Sequence, residues 1–131
     1  MPITSFRDLE VWQRSIQLTR CVYEATGSMA WPHRNEIGAQ MRRAAVSTPS
    51  NIAEGFRQGA LGAYIRHIRI AAGSTAEVET QAEIATDLKL WAPERAAEVA
   101  RLAESCGQML TALIRSLEAR AEREGHPRRR H

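Results

Sequence analysis

Met41-Arg42-Arg43-Ala44-Ala45-Val46-Ser47-Thr48-Pro49-Ser50-Asn51-Ile52-Ala53-Glu54-Gly55 is the stretch on which the fold turns. It contains the chain's only proline with helix-like sequence on both sides. At 100° per residue, Ile37, Met41, Ala44, Ala45, Thr48, Ile52 and Phe56 fall on one side of a helix. Arg42, Arg43, Ser50 and Arg57 fall on the other. The apolar stripe keeps its phase across Pro49, which predicts one helix running through the proline. That proline removes the hydrogen bond to the Ala45 carbonyl, so the helix should bend there. Ser47 and Ser50 are placed to help satisfy the freed carbonyl. A break with Thr48 as N-cap and Pro49 as first helical residue is the alternative. The unbroken phase favours the bent helix.

Outward from this stretch, the periodicity predicts three more helices. The first runs from about Phe6 to Thr26, with Ser5 as cap and Asp8 in its first turn. It carries two apolar lines, Leu9, Trp12, Ile16 and Tyr23 on one side and Val11, Leu18 and Val22 well round the cylinder. Gly27 suits a left-handed C-terminal stop before a loop to Pro32. The second helix spans about Arg34 to Phe56 or Arg57, its end bracketed by Gly55 and Gly59. The third spans Leu61 to Leu90, again with two lines: Tyr64, Ile68, Ala71, Ala72, Thr75 and Ala82, and Ile70, Ser74, Glu77, Gln81, Ile84 and Leu88. Trp91-Ala92-Pro93 is a break, with Pro93 at the first position of a fourth helix to about Arg120. That helix shows one clean stripe through Val99, Leu102, Ala103, Cys106, Leu110, Leu113 and Leu117.

The expected fold is all-α: an up-down-up-down antiparallel four-helix bundle over residues 1–122 with a proline-bent second helix. Residues 123–131 form an arginine-rich tail expected to be disordered. A helix in a lone bundle needs one apolar stripe, so the second lines on helices 1 and 3 predict self-association. No apolar run approaches bilayer length and the amino terminus lacks a signal-like apolar core, which predicts a soluble, cytoplasmic protein with no membrane partner. Cys21 and Cys106 stand in no metal-ligand spacing and read as buried, reduced thiols.

The net charge of +3 belongs to the tail, where Arg123, Arg128, Arg129 and Arg130 face only Glu124. The body sums to zero but is polar: residues 34–69 hold six arginines against two glutamates, and residues 77–122 hold five basic groups against nine acidic ones. Such a split can draw phosphates, or can bring one subunit's basic side against another's acidic side. Arg42, Arg43, Arg57, Arg66 and Arg69 are the candidate phosphate-binding residues, for RNA or DNA held without sequence choice. No aromatic residue interleaves with them in sequence, so base stacking has little support. The other reading makes them subunit salt bridges in a scaffold with a protein partner.

Enzyme signatures are missing: no glycine-rich phosphate loop, no HExxH, no CxxC and no Glu-x-x-His pair for a bundle metal site. Neither a catalytic residue, a metal nor a cofactor is expected. His67, the one helical histidine, reads as solvated or interfacial. Ser47, Asn51 and Glu54 on helix 2, with Ser74 and Glu77 on helix 3, read as a structural polar network that fixes helix register.

These residues resemble the four-helix-bundle proteins encoded within intervening sequences of 23S ribosomal RNA genes, also called the ribosomal S23-type family. The resemblance covers about residues 6–118 and rests on Phe6-Arg7-Asp8-Leu9-Glu10-Val11-Trp12-Gln13, Glu36 and Gln40-Met41-Arg42-Arg43-Ala44-Ala45. Its most specific part is Ser47-Thr48-Pro49-Ser50-Asn51-Ile52-Ala53-Glu54-Gly55, followed by Ala71-Ala72-Gly73-Ser74 and Glu77. The resemblance implies a bundle assembling as a ring-shaped homopentamer, without an established enzymatic activity. It extends to the accessory variability determinant proteins of diversity-generating retroelements, pentameric bundles that bind nucleic acid and a reverse transcriptase. The charge-neutral body departs from the strongly basic surface expected of such a ring.

Overall fold

A computed structural model of the chain describes residues 2–125. It contains four helices: α1 (Glu10–Gly27), α2 (Ile37–Gln58), α3 (Leu61–Asp87) and α4 (Pro93–Arg123). Short 3-10 turns at Phe6–Asp8 and His33–Asn35 precede α1 and α2. Each helix packs on its chain neighbours, and α1 closes the ring on α4, so the bundle is antiparallel with α2–α3 as its most extensive seam. No described helix is long and apolar enough to cross a membrane.

Pro49 lies inside an unbroken α2, as the preserved phase requires. The freed Ala45 carbonyl finds its partner on another helix: the Thr19 hydroxyl of α1 lies 3.1 Å away, and 2.8 Å from its own Ser15 carbonyl. Neither Ser47 nor Ser50 takes that role. Ser50 donates instead to the Val46 carbonyl, and Ser47 faces Ser74. The proline therefore ties α2 to α1 rather than being repaired within α2.

At that level the core divides. One apolar cluster gathers Leu18, Val22, Met41, Val78, Val99 and Trp91 toward the α1–α2 and α3–α4 loops. The other gathers Val11, Ile52, Ile65, Ile68, Leu110 and Leu117 toward the α2–α3 turn. Between them lies a belt of fully buried hydroxyls, Ser15, Thr48 and Thr75. Thr48 and Thr75 meet at 3.1 Å, and Thr75 also reaches the Ala71 carbonyl at 2.9 Å. A buried hydroxyl is tolerated only with a partner, and these have them.

Several boundaries differ from the sequence reading. Ser5 caps its own short turn: its Oγ accepts from the Arg7 amide at 3.2 Å, while Asp8 Oδ2 accepts from the Ser5 amide at 3.1 Å. Leu9 is extended, so α1 begins at Glu10. Gly27 stays helical, and Ser28 follows in right-handed conformation with its hydroxyl on the Ala25 carbonyl. Helix α2 starts at Ile37 because Pro32 to Glu36 form the 3-10 turn first. Helix α3 ends at Asp87, where Lys89 takes the left-handed position (φ 57°) and Leu90 N donates to the Ala85 carbonyl. That is a Schellman stop built without glycine. Helix α4 runs three residues past Arg120, burying Ala121 in the second cluster. The tail residues 126–131, including Arg128, Arg129 and Arg130, lie outside the described residues.

The stripe on α4 packs as expected, with Val99, Leu102, Ala103, Cys106, Leu110 and Leu117 buried. On α1, Val11, Leu18 and Val22 are buried, Leu9, Trp12 and Ile16 are half-buried, and Tyr23 is exposed. On α3 the first line is core, whereas Ile70, Ile84 and Leu88 are 41%, 43% and 60% exposed.

Candidate nucleic-acid interface

Helices α2 and α3 form a tight hairpin about Gly59, whose φ of 76° suits a residue without Cβ. The hairpin sets Asn51 opposite His67 and Ser47 opposite Ser74. Gly55 sits at a close approach of the two helices: a Cβ there would lie 2.8 Å from the His67 Cβ and 3.2 Å from the Tyr64 carbonyl oxygen. It is an interior contact of α2 and not part of its end.

Beyond Gly55 the polar seam assembles. Asn51 Nδ2 donates to the Ser47 carbonyl at 2.9 Å and lies 3.1 Å from Ser47 Oγ. That fixes Asn51 Oδ1 toward His67 Nδ1, at 3.0 Å, so Nδ1 carries the proton and donates. Glu54 Oε2 lies 3.4 Å from the same nitrogen. Ser47 Oγ and Ser74 Oγ meet at 2.8 Å. Ser47, Asn51, Glu54 and Ser74 are thus one network, joined through His67. Glu77 is not part of it; it is exposed beside a shallow cleft shared with Arg43, Ser47 and Ser74. His67 is 6% exposed and packs against α2, so of the two readings, solvated or interfacial, the solvated one does not hold. The pairing across the hairpin, which sets 67 opposite 51, is the signal that would have found it.

The five candidate arginines separate into two groups. Arg42 is engaged within the fold: its Nε donates to Thr26 Oγ1 at 2.7 Å, a terminal nitrogen donates to the Tyr23 carbonyl at 3.1 Å, and its guanidinium lies 4.4 Å from the Tyr23 ring centroid. A cation at the carbonyl-rich end of α1 also opposes that helix's dipole. Arg69 pairs with Glu118 of α4, both partly buried. Arg43, Arg57 and Arg66 are exposed and form no ion pair with a described carboxylate. Arg66 points a terminal nitrogen at His67 Nε2, 3.4 Å away.

Aromatic groups do reach these arginines, from elsewhere in the chain. Phe6 lies beneath Arg57, 5.3 Å from guanidinium carbon to ring centroid, and stacks obliquely on Trp12. Phe56 meets Tyr64 edge-on at 6.1 Å. Burial pushes the Tyr64 phenol up, and the Arg120 guanidinium beside it works the other way. The acidic residues gather on the other seam of α3, against α4. A groove between α3 and α4 is lined by Ile84, Leu88 and Ala97 with Glu79, Glu83 and Asp87. The two cysteines are buried and free, with thiols pushed by burial from the usual 9.0 to about 11. Among the described residues, no group of three side chains could hold a metal ion.

Comparison with known proteins agrees with the resemblance read from residues 6–118. A family model described as 23S rRNA-intervening sequence protein matches residues 7–112. The fold is similar to the crystal structure of a protein with unknown function from the S23 ribosomal protein family of Bacteroides thetaiotaomicron. The TM-score is 0.71 at 17% identity, covering 79% of this chain and 97% of that one. No curated protein matches the chain.

Proposed function

The chain belongs to the 23S rRNA-intervening sequence protein family, and on that premise we propose that it is a non-enzymatic, self-associating bundle that binds nucleic acid weakly and without sequence choice. One observation carries this reading. Arg43, Arg57 and Arg66 stand exposed on α2 and the start of α3 with no carboxylate partner among the described residues, although the body as a whole is charge-neutral. Exposed guanidiniums of this kind suit backbone phosphates, where Arg forms two parallel hydrogen bonds. Arg42 and Arg69 support the fold and drop out of the contact set. Self-association rests on the exposed line of Ile70, Ile84 and Leu88.

The test is binding of RNA and of double-stranded DNA over a salt series, with the native chain against a variant carrying Arg43→Gln, Arg57→Gln and Arg66→Gln. The expected result is affinity that falls steeply with salt, with the slope of log K against log salt shallower by about 2–3 in the variant. Absence of binding at low salt would sink this reading. The second reading, a scaffold or adaptor ring such as a reverse-transcriptase accessory protein, would then stand. It is favoured by the charge split between basic α2 and the acidic α3–α4 groove, which lets arginines serve between subunits.

A further inference from the structure

Phe6 gathers two arginines that are far apart in sequence. The Arg7 guanidinium carbon lies 4.5 Å from its ring centroid and that of Arg57 lies 5.3 Å from it. The two cations are therefore no farther apart than those distances laid end to end. Neither forms an ion pair with a described carboxylate. Asp8, the acid adjacent in sequence, is engaged elsewhere: its Oδ2 accepts from the backbone amides of Thr4 and Ser5 at 3.3 and 3.1 Å. Two cations carried by one ring, neither with a carboxylate partner among the described residues, leave both guanidiniums available to an anion.

The backbone of Arg7 is held in place by its neighbours. The Arg7 amide donates to Ser5 Oγ at 3.2 Å, and its carbonyl accepts from Gln13 Nε2 at 2.9 Å. Phe6 is backed by Trp12, with ring centroids 5.3 Å apart. A guanidinium over an aromatic ring is attracted to the ring's face and keeps N–H donors free at its edge. Those edges match the oxygens of a phosphate.

We infer that Arg7 and Arg57, mounted on Phe6, form a two-guanidinium clamp for a phosphate of the nucleic-acid backbone. This rests on the nucleic-acid reading above and adds to it a residue, Arg7, outside the helix 2–3 set. A purely structural role, in which the stack only tethers the N-terminal turn to α2, gives different results in the same experiment.

The experiment titrates a fluorescein-labelled 20-base-pair DNA duplex with the full chain over a salt series. The variants are Arg7→Gln, Arg57→Gln, Arg7→Lys and Phe6→Leu, with Arg20→Gln as an exposed control on α1, and a thermal melt checks the fold of each. The clamp predicts that Arg7→Gln and Arg57→Gln each weaken binding about threefold to tenfold and lower the salt slope by about 1. Phe6→Leu should weaken binding although it removes no charge, Arg7→Lys should fall between native and Arg7→Gln, and Arg20→Gln should bind as the native chain does. If Arg7→Gln and Phe6→Leu bind like the native chain while Arg57→Gln or the triple arginine variant is weakened, the clamp is wrong and the wider reading survives. If the native chain binds no duplex, both fail. Tripolyphosphate at matched ionic strength separates a small-anion site; displacement of the duplex at micromolar levels would overturn the assignment to nucleic acid.

Discussion

The seam between α2 and α3 and the outer face of α3 are built from the same helix and have opposite characters. The seam is polar and closed: Ser47 meets Ser74, Thr48 meets Thr75, Asn51 meets His67, and Gly55 lets the backbones approach. The outer face is apolar and open, with Ile70, Ile84 and Leu88 in solvent beside Glu79, Glu83 and Asp87. Hydrogen bonds are directional, so a polar seam fixes the register of two helices in a way that apolar contact does not. Helix α3 thus carries buried hydroxyls and His67 on the side that meets α2 and three large apolar side chains on the side that meets solvent.

The sharpest way to break the seam is volume. Gly55→Val places branched carbons where a single Cβ would already lie 2.8 Å from His67 Cβ. Relief requires the two backbones to separate, and the expected loss is about 3 kcal/mol or more in denaturant unfolding. A native-like melt would show that the close approach is not required.

Next in size is the tie from α1 into the proline bend. Thr19→Val keeps the shape but leaves the Ala45 carbonyl without the hydroxyl 3.1 Å away, in a position where Pro49 offers no N–H. An unmet carbonyl at a largely buried site costs about 1–3 kcal/mol, so the melting temperature should fall by several degrees. Thr19→Ser, which restores the hydroxyl, should recover most of the loss.

The two thiols probe the sealed core without mutation. Burial raises both from 9.0 to about 11, so the unfolded chain loses their protons first as pH rises. Their contribution to stability is complete below pH 9 and is lost as pH passes through about 11. At pH 8 the folded chain should react with iodoacetamide at least about a hundredfold more slowly than free cysteine. Rapid alkylation of the folded chain would place one thiol outside the core.

Gly73 is the open-face counterpart of Gly55, for nothing lies within 4 Å of a Cβ added there. Gly73→Ala should therefore stabilise α3 by about 0.5–1 kcal/mol through backbone entropy alone. The same glycine-to-larger change thus carries opposite signs in the closed seam, on α2, and on the open face of α3.

What was legible in the sequence follows from which signals are local. Helical phase is local, and it placed all four helices and carried α2 through Pro49. Stops that depend on three-dimensional capping were not legible: Lys89 ends α3 in a left-handed conformation that its residue type does not announce, and Ser5 with Asp8 closes a turn short of α1. The polar network was legible as residue types at helical spacing, but its centre, His67, needed the hairpin pairing to be seen. The arginines show the same limit. Charge counting grouped Arg42 and Arg69 with Arg43, Arg57 and Arg66, and only geometry separates those held by Thr26, Tyr23 and Glu118 from those left in solvent. Phe6 beneath Arg57 joins residues that no short-range pattern connects.

The outer face gives the smallest effect on the subunit and the clearest effect on assembly. Ile84 and Leu88 are 43% and 60% exposed, so replacing both with serine removes little apolar area that the subunit itself buries. The unfolding free energy at low protein concentration should change by no more than about 0.5 kcal/mol. If the face meets another copy, the same double variant should shift light scattering toward monomer mass and remove any dependence of the melting temperature on protein concentration. A variant that keeps the native assembly would move the subunit contact away from this groove, leaving the half-buried line of Leu9, Trp12 and Ile16 on α1 as the remaining surplus stripe. Either result tells whether the second apolar line of α3 or that of α1 exceeds what one subunit can bury, which the helical phase alone does not decide.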